Sequence, residues 1–146
     1  MDKLSVILDD KGRTVHTVSP GTTVLDAVDA MCARHVGALV VRDGGRLAGV
    51  FTERDLMRRV ILARRDPAVT LVGDVMTREP MTVPQDCTIG EAMNLMTEHR
   101  CRHLPVVRDG ELLGLVSIGD LVRWVTRAQE FELRLLQEYI TGARPG

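Results

Sequence analysis

Two stretches of this sequence share one pattern: residues 114–121 read GLVSIGDL, and residues 49–56 read GVFTERDL. Each begins with an apolar run typical of a strand, which ends at a hydroxyl residue. An aspartate follows three residues later, where a helix is predicted to begin. The two pairs are Ser117 with Asp120 and Thr52 with Asp55. The pattern predicts two strand-to-helix corners, each presenting a hydroxyl, a carboxylate and the unpaired N–H groups of a helix start.

The similarity extends well beyond the two corners. Adding 65 to the residue number maps Thr17–Val60 onto Thr82–Val125 without a gap. A constant offset over this length indicates one supersecondary unit used twice. A unit of about 50 residues is too small to bury a stable core alone, so the two copies are expected to pair. Identical pairs include Thr23/Thr88, Ala27/Ala92, Leu39/Leu104, Gly49/Gly114 and Arg58/Arg123.

The composition is that of an ordinary globular chain. Of 146 residues, 45% are hydrophobic and 27% are charged, and the formal net charge is −1. This balance predicts no general attraction to nucleic acid or to anionic lipid. No apolar run approaches the ~20 residues that a membrane helix needs, so no membrane partner is expected. The first residues lack the layout of a secretory signal, which predicts a cytoplasmic location.

The repeat divides the chain into five predicted parts. They are a lead-in (1–13), a first repeat (14–66), a linker (67–80), a second repeat (81–127) and a C-terminal helix extension with a tail (128–146). In the lead-in, Leu4–Leu8 is predicted to form an added strand. In the linker, Val72–Thr77 is predicted to form a helical turn.

Each repeat is predicted to run strand, helix, hairpin, helix. In the first repeat, Thr22 or Thr23 caps the first helix and Gly37 ends it. The second helix of that repeat is predicted from Glu53 toward Arg65. The predicted strands are Val15–Val18, Ala38–Val41, Leu47–Phe51, Met81–Val83, Leu104–Val107 and Leu112–Val116. The first helix of the second repeat is predicted from Thr88 to about Glu98.

The last helix is predicted to outlast its counterpart in the first repeat. It begins near Gly119 and, if unbroken to Ile140, extends for ~30 Å, with Gly142 and Pro145 ending it. Such a helix needs another surface to cover its apolar side, which favours a homodimer. The alternative is that the helix packs back on its own chain. The predicted dimer contact is the region of Trp124, Phe131 and Leu135. The residues that fall on one face are Leu121, Val125, Ala128, Glu132, Leu135 and Tyr139.

The order of elements, the two corners and the strand sequence RHLPVV at residues 102–107 resemble a tandem pair of CBS domains, often called a Bateman module. The resemblance covers about Val15–Val125. It implies an α+β fold of two pseudo-symmetric β-α-β-β-α repeats stacked through their sheets, followed here by the extended C-terminal helix. The chain also resembles small stand-alone CBS-pair proteins, which are sensing modules without catalytic activity. CBS pairs resemble flat discs that dimerise through their helices, so the resemblance implies a homodimer through the CBS helices as well as the C-terminal helix.

The resemblance further implies an adenine nucleotide as ligand, such as AMP, ADP, ATP or possibly NAD, with no cofactor required. A carboxylate can accept two hydrogen bonds from the vicinal ribose hydroxyls, and a helix start can bind phosphate. The predicted ribose-binding residues are Asp55, Asp120, Thr52 and Ser117. The predicted phosphate-binding residues are Arg54, Arg102, His103 and Gly119. The predicted adenine pocket consists of Val18, Val83, Pro105 and Ile118.

Simpler interpretations remain open for these residues. An aspartate after a strand is often only a helix cap, so the chain could be a dimeric interaction module without a nucleotide. No catalytic triad or phosphate-binding loop is visible, and no enzyme activity is predicted. His99, Cys101 and His103 alternate, but no fourth ligand lies near, so no metal site is predicted. Nucleic acid is an unlikely partner, and a regulated protein partner remains unidentified. The local basic cluster is Arg58, Arg59, Arg64 and Arg65.

Overall fold

The computed structural model describes residues 2–141. Its helices are α1 (Leu4–Lys11), α2 (Val24–Arg34), α3 (Glu53–Asp55), α4 (Val72–Val75), α5 (Ile89–His99) and α6 (Ile118–Thr141), and a π-helical segment, Leu56–Ile61, continues α3. Its strands are β1 (Thr17–Val18), β2 (Ala38–Asp43), β3 (Arg46–Thr52), β4 (Thr77–Arg78), β5 (His103–Arg108) and β6 (Glu111–Ser117).

The strands form two sheets related by the repeat. The first sheet has the order β1-β2-β3-β4, and the second is the hairpin β5-β6. Val40 faces Val50 in the first hairpin, and Pro105 faces Leu115 in the second, so the two registers coincide after the shift of 65. The strand predicted at Met81–Val83 is reduced to one parallel bridge between Val83 and Val106.

Each sheet has a core on one face and its partner sheet on the other. Leu39, Val41 and Phe51 belong to the core of the first repeat. Val40 and Val50 are equally buried but lie outside that core, because successive side chains of a strand point to opposite faces. β3 contacts β6 across this second face. The predicted α+β fold of two repeats stacked through their sheets is therefore confirmed.

The lead-in forms a helix, so the strand predicted at Leu4–Leu8 is wrong. Leu4, Ile7 and Leu8 are buried at helical spacing and pack in the core of the second repeat, although they precede the first. The backbone N–H of Leu4 donates to the carbonyl oxygen of Cys87, which anchors α1 beside α5. A short apolar run fits both a strand and a helix, so periodicity alone did not separate them.

The linker completes the first repeat in the same way. Val72, Val75 and Met76 belong to the first core, and β4 pairs with β3. Val72–Val75 is helical, within the helical turn predicted there. Each repeat is thus covered by the segment that precedes the other repeat in sequence.

Capping explains how the amphipathic helices α2 and α5 begin and end. Thr23 caps α2 by accepting a hydrogen bond from the backbone N–H of Asp26, and Thr88 caps α5 in the same way. Gly37 does not end α2: His35 ends it in the left-handed conformation, with φ 55°. Its counterpart Arg100 ends α5 with φ 52°.

The second helix of each repeat matches its prediction to a different extent. The helix predicted from Glu53 toward Arg65 is an α-helical turn followed by a π-helical segment that ends at Ile61. α6 runs unbroken from Ile118 to Thr141, while its predicted end at Gly142 and Pro145 lies outside the described residues. Every helix within residues 2–141 is too short or too polar to cross a bilayer.

Trp124 serves the fold of its own chain. Its side chain is half-buried against the second core, and its indole Nε1 donates to Asp2 Oδ2 at 2.7 Å. The prediction that Trp124 belongs to a dimer contact beyond the repeats stays a prediction. From residue 126 to residue 141, every residue of α6 is exposed.

Candidate functional site

The second corner joins the end of β6 to the start of α6 by two reciprocal hydrogen bonds. The backbone N–H of Ser117 donates to Asp120 Oδ2 at 2.8 Å, and the backbone N–H of Asp120 donates to Ser117 Oγ at 3.1 Å. This arrangement satisfies two N–H groups at the helix start and fixes the carboxylate of Asp120 at the strand end.

Two cations from different parts of the chain bind the carboxylate of Asp120. Lys11 Nζ donates to Asp120 Oδ2 at 2.8 Å and to the carbonyl oxygen of Leu115 at 2.9 Å. Arg123 Nη2 donates to Asp120 Oδ1 at 2.8 Å. Burial alone would raise the pKa of Asp120, but the hydrogen bonds from Lys11 and Ser117 outweigh it and hold that pKa below its usual value. Asp120 is therefore ionised at neutral pH.

The second corner opens into a cavity of about 280 Å³ that both repeats share. The first repeat contributes residues 14–16 and 35–38 to its wall, the lead-in contributes Lys11, and the second repeat contributes His103 and its corner. Val15, Val36, Ala38 and Leu115 supply apolar surface. The charged and polar lining residues are Lys11, Thr14, His16, His35, His103, Ser117, Asp120 and Arg123.

The first corner has the same backbone geometry but is closed by a neighbour. Thr52 and Asp55 form the reciprocal hydrogen bonds of a capping box. Thr77 Oγ1 donates to Asp55 Oδ1 at 2.9 Å, and Arg59 Nε lies 3.8 Å from the same oxygen. Asp55 is 5% exposed, and neither it nor Thr52 lines the shared cavity.

The segments that cover the two repeats also make the two corners different. Thr77 belongs to the linker, and its hydroxyl is a fixed neutral partner of the first carboxylate. Lys11 is the last residue of α1, and its long, partly exposed side chain holds the second carboxylate from the edge of the cavity. The sequence-predicted ribose residues Ser117 and Asp120 therefore lie at an open site, whereas Thr52 and Asp55 are engaged in the fold.

The predicted phosphate-binding residues do not all gather at one place. His103 lines the shared cavity, and Gly119 lies in the first turn of α6 beside Arg123. Arg54 instead donates through Nη1 to the carbonyl oxygen of Arg100 at 2.6 Å, which joins the first corner to the end of α5. Arg102 is exposed and does not line the cavity.

The predicted adenine pocket is not assembled at this cavity. Val83 is buried in the second core with Ile118 packed beside it, and Pro105 is buried in β5. Val18 packs against the first core. None of these four side chains lines the shared cavity, whose apolar wall is made by other residues.

Sequence reasoning missed four charged or titratable residues of the cavity: Lys11, His16, His35 and Arg123. The identical pair Arg58/Arg123 was visible, but nothing in it indicated that one arginine reaches the aspartate three residues earlier. Lys11 lay in the lead-in, where a strand at Leu4–Leu8 was predicted. Only the helical form of α1, and its packing on the second repeat, bring Lys11 to Asp120.

A larger cavity, of about 770 Å³, lies elsewhere on the first repeat, beside Pro20 and the linker. It contains no residue of either corner, and Asp43, Asp74 and Glu79 give it an acidic rim. Within residues 2–141, no three His, Cys, Asp or Glu side chains converge in a way that would hold a metal ion.

His103 links the cavity to the stability of the fold. Burial lowers the pKa of His103 most strongly, Glu53 and Asp120 raise it, and Lys11 and Arg102 lower it further, so that it lies below 6.5 in the folded chain. As the pH falls, the imidazole of His103 is protonated in the unfolded chain before it is protonated in the folded chain. The contribution of His103 to the free energy of unfolding is therefore complete above about pH 6.5 and declines as the pH falls below that value. We expect His103→Gln to flatten this decline, measured by urea unfolding between about pH 7.5 and 5.

That experiment compares the slope of the free energy of unfolding against pH in the wild type and in His103→Gln. The two proteins differ only at residue 103, so the contributions of all other groups cancel when the two curves are subtracted. Equal slopes for the wild type and His103→Gln would contradict the inference that His103 is held neutral by burial.

The family follows from a match along nearly the whole folded region. A model of the CBS domain matches residues 5–62 and again residues 72–127. The chain belongs to the CBS-domain family. This confirms the resemblance drawn from the two corners: the chain carries two CBS domains in tandem.

Relatives of this CBS pair are known in plants and bacteria. The mitochondrial protein CBSX3 of Arabidopsis thaliana is 46% identical over 125 residues, which cover 82% of this chain and 61% of CBSX3. The chain spans less than a fifth of two further curated relatives that it matches. A structure of a protein with CBS domains from Burkholderia ambifaria superposes with a TM-score of 0.82 at 45% identity, covering 85% of this chain and 93% of that one.

One similar structure was determined with a nucleotide. The structure of CBSX2 in complex with AMP has a TM-score of 0.68 and 31% sequence identity, covering 79% of this chain and 90% of that chain. CBS pairs are regulatory modules, and proteins made only of CBS domains are generally non-catalytic.

Proposed function

We propose that this CBS pair is a regulatory module that senses an adenine nucleotide in the cavity at the second corner. The observation that carries the proposal is the ionised carboxylate of Asp120, which faces a cavity lined by both repeats and is bound there by the side chains of Lys11 and Arg123. A ligand that contacts both repeats at once can change how they sit together, which is what a sensing module requires.

The donors around Asp120 match the groups of a nucleoside phosphate. The vicinal hydroxyls of a ribose replace the ammonium of Lys11 and the guanidinium of Arg123 on the carboxylate. The two released cations then face the phosphate, where Arg123 offers paired donors and Lys11 a mobile charge. Ser117 also lines this cavity, and its hydroxyl lies at the start of α6.

The apolar lining of the cavity fits the base. Val15, Val36, Ala38 and Leu115 supply an apolar wall. The AMP complex of CBSX2 supports the choice of an adenine nucleotide. The cavity of about 280 Å³ is just below the roughly 300–1,000 Å³ of typical small-molecule pockets, which favours AMP, ADP or ATP over a dinucleotide such as NAD.

The two corners offer a matched test by isothermal titration calorimetry with AMP, ATP and NADH. We expect Asp120→Asn to weaken nucleotide binding by about 10- to 100-fold, because a charged acceptor of ribose hydroxyls is lost. Asp55→Asn, the same substitution at the closed corner, is expected to leave the affinity unchanged while lowering the melting temperature.

The opposite pattern would assign the ribose to the first corner. If both variants bind as the wild type does, the aspartates are helix caps only. If the wild type binds none of the three nucleotides, the alternative holds: a dimeric interaction module without a physiological nucleotide. The cytoplasmic location and the regulated protein partner stay predictions.

A further inference from the structure

Both oxygens of the Asp120 carboxylate are engaged by groups of this chain. Oδ2 accepts hydrogen bonds from Lys11 Nζ and from the backbone N–H of Ser117, each at 2.8 Å, and Oδ1 accepts one from Arg123 Nη2 at 2.8 Å. The side chain of Asp120 is only 10% exposed, so its acceptor positions are not freely open to a ligand. A ribose can therefore reach this carboxylate only by displacing the two cations.

The two cations differ in what they lose when they are displaced. The side chain of Arg123 is 63% exposed, so water can replace the carboxylate at little cost. The side chain of Lys11 is 37% exposed, and its ammonium lies between Asp120 and the carbonyl oxygen of Leu115. Displacement leaves Lys11 as the less hydrated of the two cations, and a partly buried charge without a counter-ion is unfavourable.

No second carboxylate is placed to replace Asp120 as the partner of Lys11. Within residues 2–141, Asp120 is the only acidic residue that lines the cavity. Asp9 and Asp10, which precede Lys11 in α1, are already paired with arginines at 2.8 Å and 3.2 Å. A ligand that takes Asp120 from Lys11 must therefore supply the replacement anion itself.

The fold does not require a cation at this position. The shift of 65 pairs Lys11 with Met76, whose side chain is buried in the first core. The next pair is Gly12 with Thr77, and the hydroxyl of Thr77 is the neutral group that closes the first corner. The ammonium of Lys11 is thus a feature of the second corner alone.

We propose that Lys11 determines specificity at this site by making it accept nucleotides and reject nucleosides. This role rests on the proposed function, because it takes the ribose to bind at Asp120. Adenosine must break the ion pair and leave the ammonium without a counter-ion, whereas AMP exchanges one anionic partner of Lys11 for another. The flexible side chain of lysine allows the ammonium to move from the carboxylate to the phosphate.

The test compares adenosine with AMP by isothermal titration calorimetry on the full chain. The wild type is expected to bind AMP at least about 100-fold more tightly than adenosine, because only AMP provides an anion for both cations. Lys11→Met removes the charge and keeps an unbranched apolar side chain. It is expected to bind adenosine about 3- to 10-fold more tightly and AMP about 3- to 10-fold more weakly than the wild type does.

The opposite direction of the two changes separates specificity from folding, since a damaged cavity would weaken both ligands. Lys3→Met is the matched control, because Lys3 is the only other lysine of the chain and is exposed at the start of α1, outside the cavity. This variant is expected to keep the wild-type ratio of the two affinities. Lys11→Arg retains the charge and is expected to keep the preference for AMP. Circular dichroism melting checks that each variant is folded.

The outcomes distinguish this role of Lys11 from the proposed function. Equal affinities of the wild type for adenosine and AMP overturn the specificity role and leave an adenine-binding cavity in place. An unchanged ratio in Lys11→Met, or an equal loss of both ligands, also overturns it, because Lys11 then acts on neither ligand or on the fold. The same change of ratio in Lys3→Met overturns it in favour of net charge. A wild type that binds neither ligand overturns the proposed function and this role together.

Discussion

Deletion of residues 2–11 is expected to unfold the second repeat, even though these residues precede the first. Leu4, Ile7 and Leu8 are at most 3% exposed and form part of the second core. Losing one such side chain costs about 2–5 kcal/mol, and small domains are stable by only about 5–15 kcal/mol. The deletion removes three of them together with the hydrogen bonds to Cys87 and Gln85. Far-UV circular dichroism and urea unfolding measure the loss.

Point variants on α1 test whether its buried side chains, rather than the helix as a whole, stabilise the second repeat. Leu8→Ala is expected to lower the free energy of unfolding by about 3 kcal/mol, because Leu8 is fully buried against β6. Asp9→Ala, on the exposed side of the same helix, is expected to change it by less than about 0.5 kcal/mol, since it loses only a surface ion pair with Arg13. A shortened chain that unfolds at the same urea concentration as the wild type would show that α1 is not part of the core.

Gly49→Ala is expected to be the most damaging single methyl added to the chain, lowering the free energy of unfolding by roughly 3 kcal/mol. A Cβ at Gly49 would overlap the carbonyl oxygen of Thr77, which belongs to the backbone of β4. Relief requires β4 to move away from β3, and this would pull the Thr77 hydroxyl from Asp55. Urea unfolding of this variant measures the cost.

Gly114, the counterpart of Gly49, provides the comparison. A Cβ there would lie 2.6 Å from Cδ2 of Leu8, the end of a flexible side chain that can turn aside. We expect Gly114→Ala to cost about 1 kcal/mol, clearly less than Gly49→Ala. Equal costs at the two positions would contradict the inference that the backbone of β4, rather than side-chain packing, limits the first site.

The repeat made most of the fold predictable from the sequence. The two corners and the hairpins follow from short-range patterns of apolar, hydroxyl and turn residues, and they lie where the sequence placed them. Of the two candidate caps Thr22 and Thr23, it is Thr23 that caps α2. The helix end at His35 was missed because a left-handed residue other than glycine gives no clear signal. The added strand predicted in the lead-in was wrong because five apolar and polar residues fit either period.

The candidate site was predictable by residue type, while its accessibility was not. Asp55 and Asp120 share the same local pattern and the same reciprocal hydrogen bonds with the preceding hydroxyl residue. What separates them is a third partner from a distant segment. Thr77, 22 residues away, fixes Asp55 in the fold, and Lys11, 109 residues away, reaches Asp120 across the edge of the cavity.

The sequence by itself determined the duplication, the two acid-and-hydroxyl corners, the amphipathic helices and the long final helix, because all of these depend on neighbours within a few turns. The tertiary structure alone decided that α1 covers the second repeat and the linker covers the first. That exchange leaves one corner open and closes the other. Local periodicity specifies which face of an element is buried, but which distant segment buries it depends on packing shape, and that shape exists only once the chain has folded.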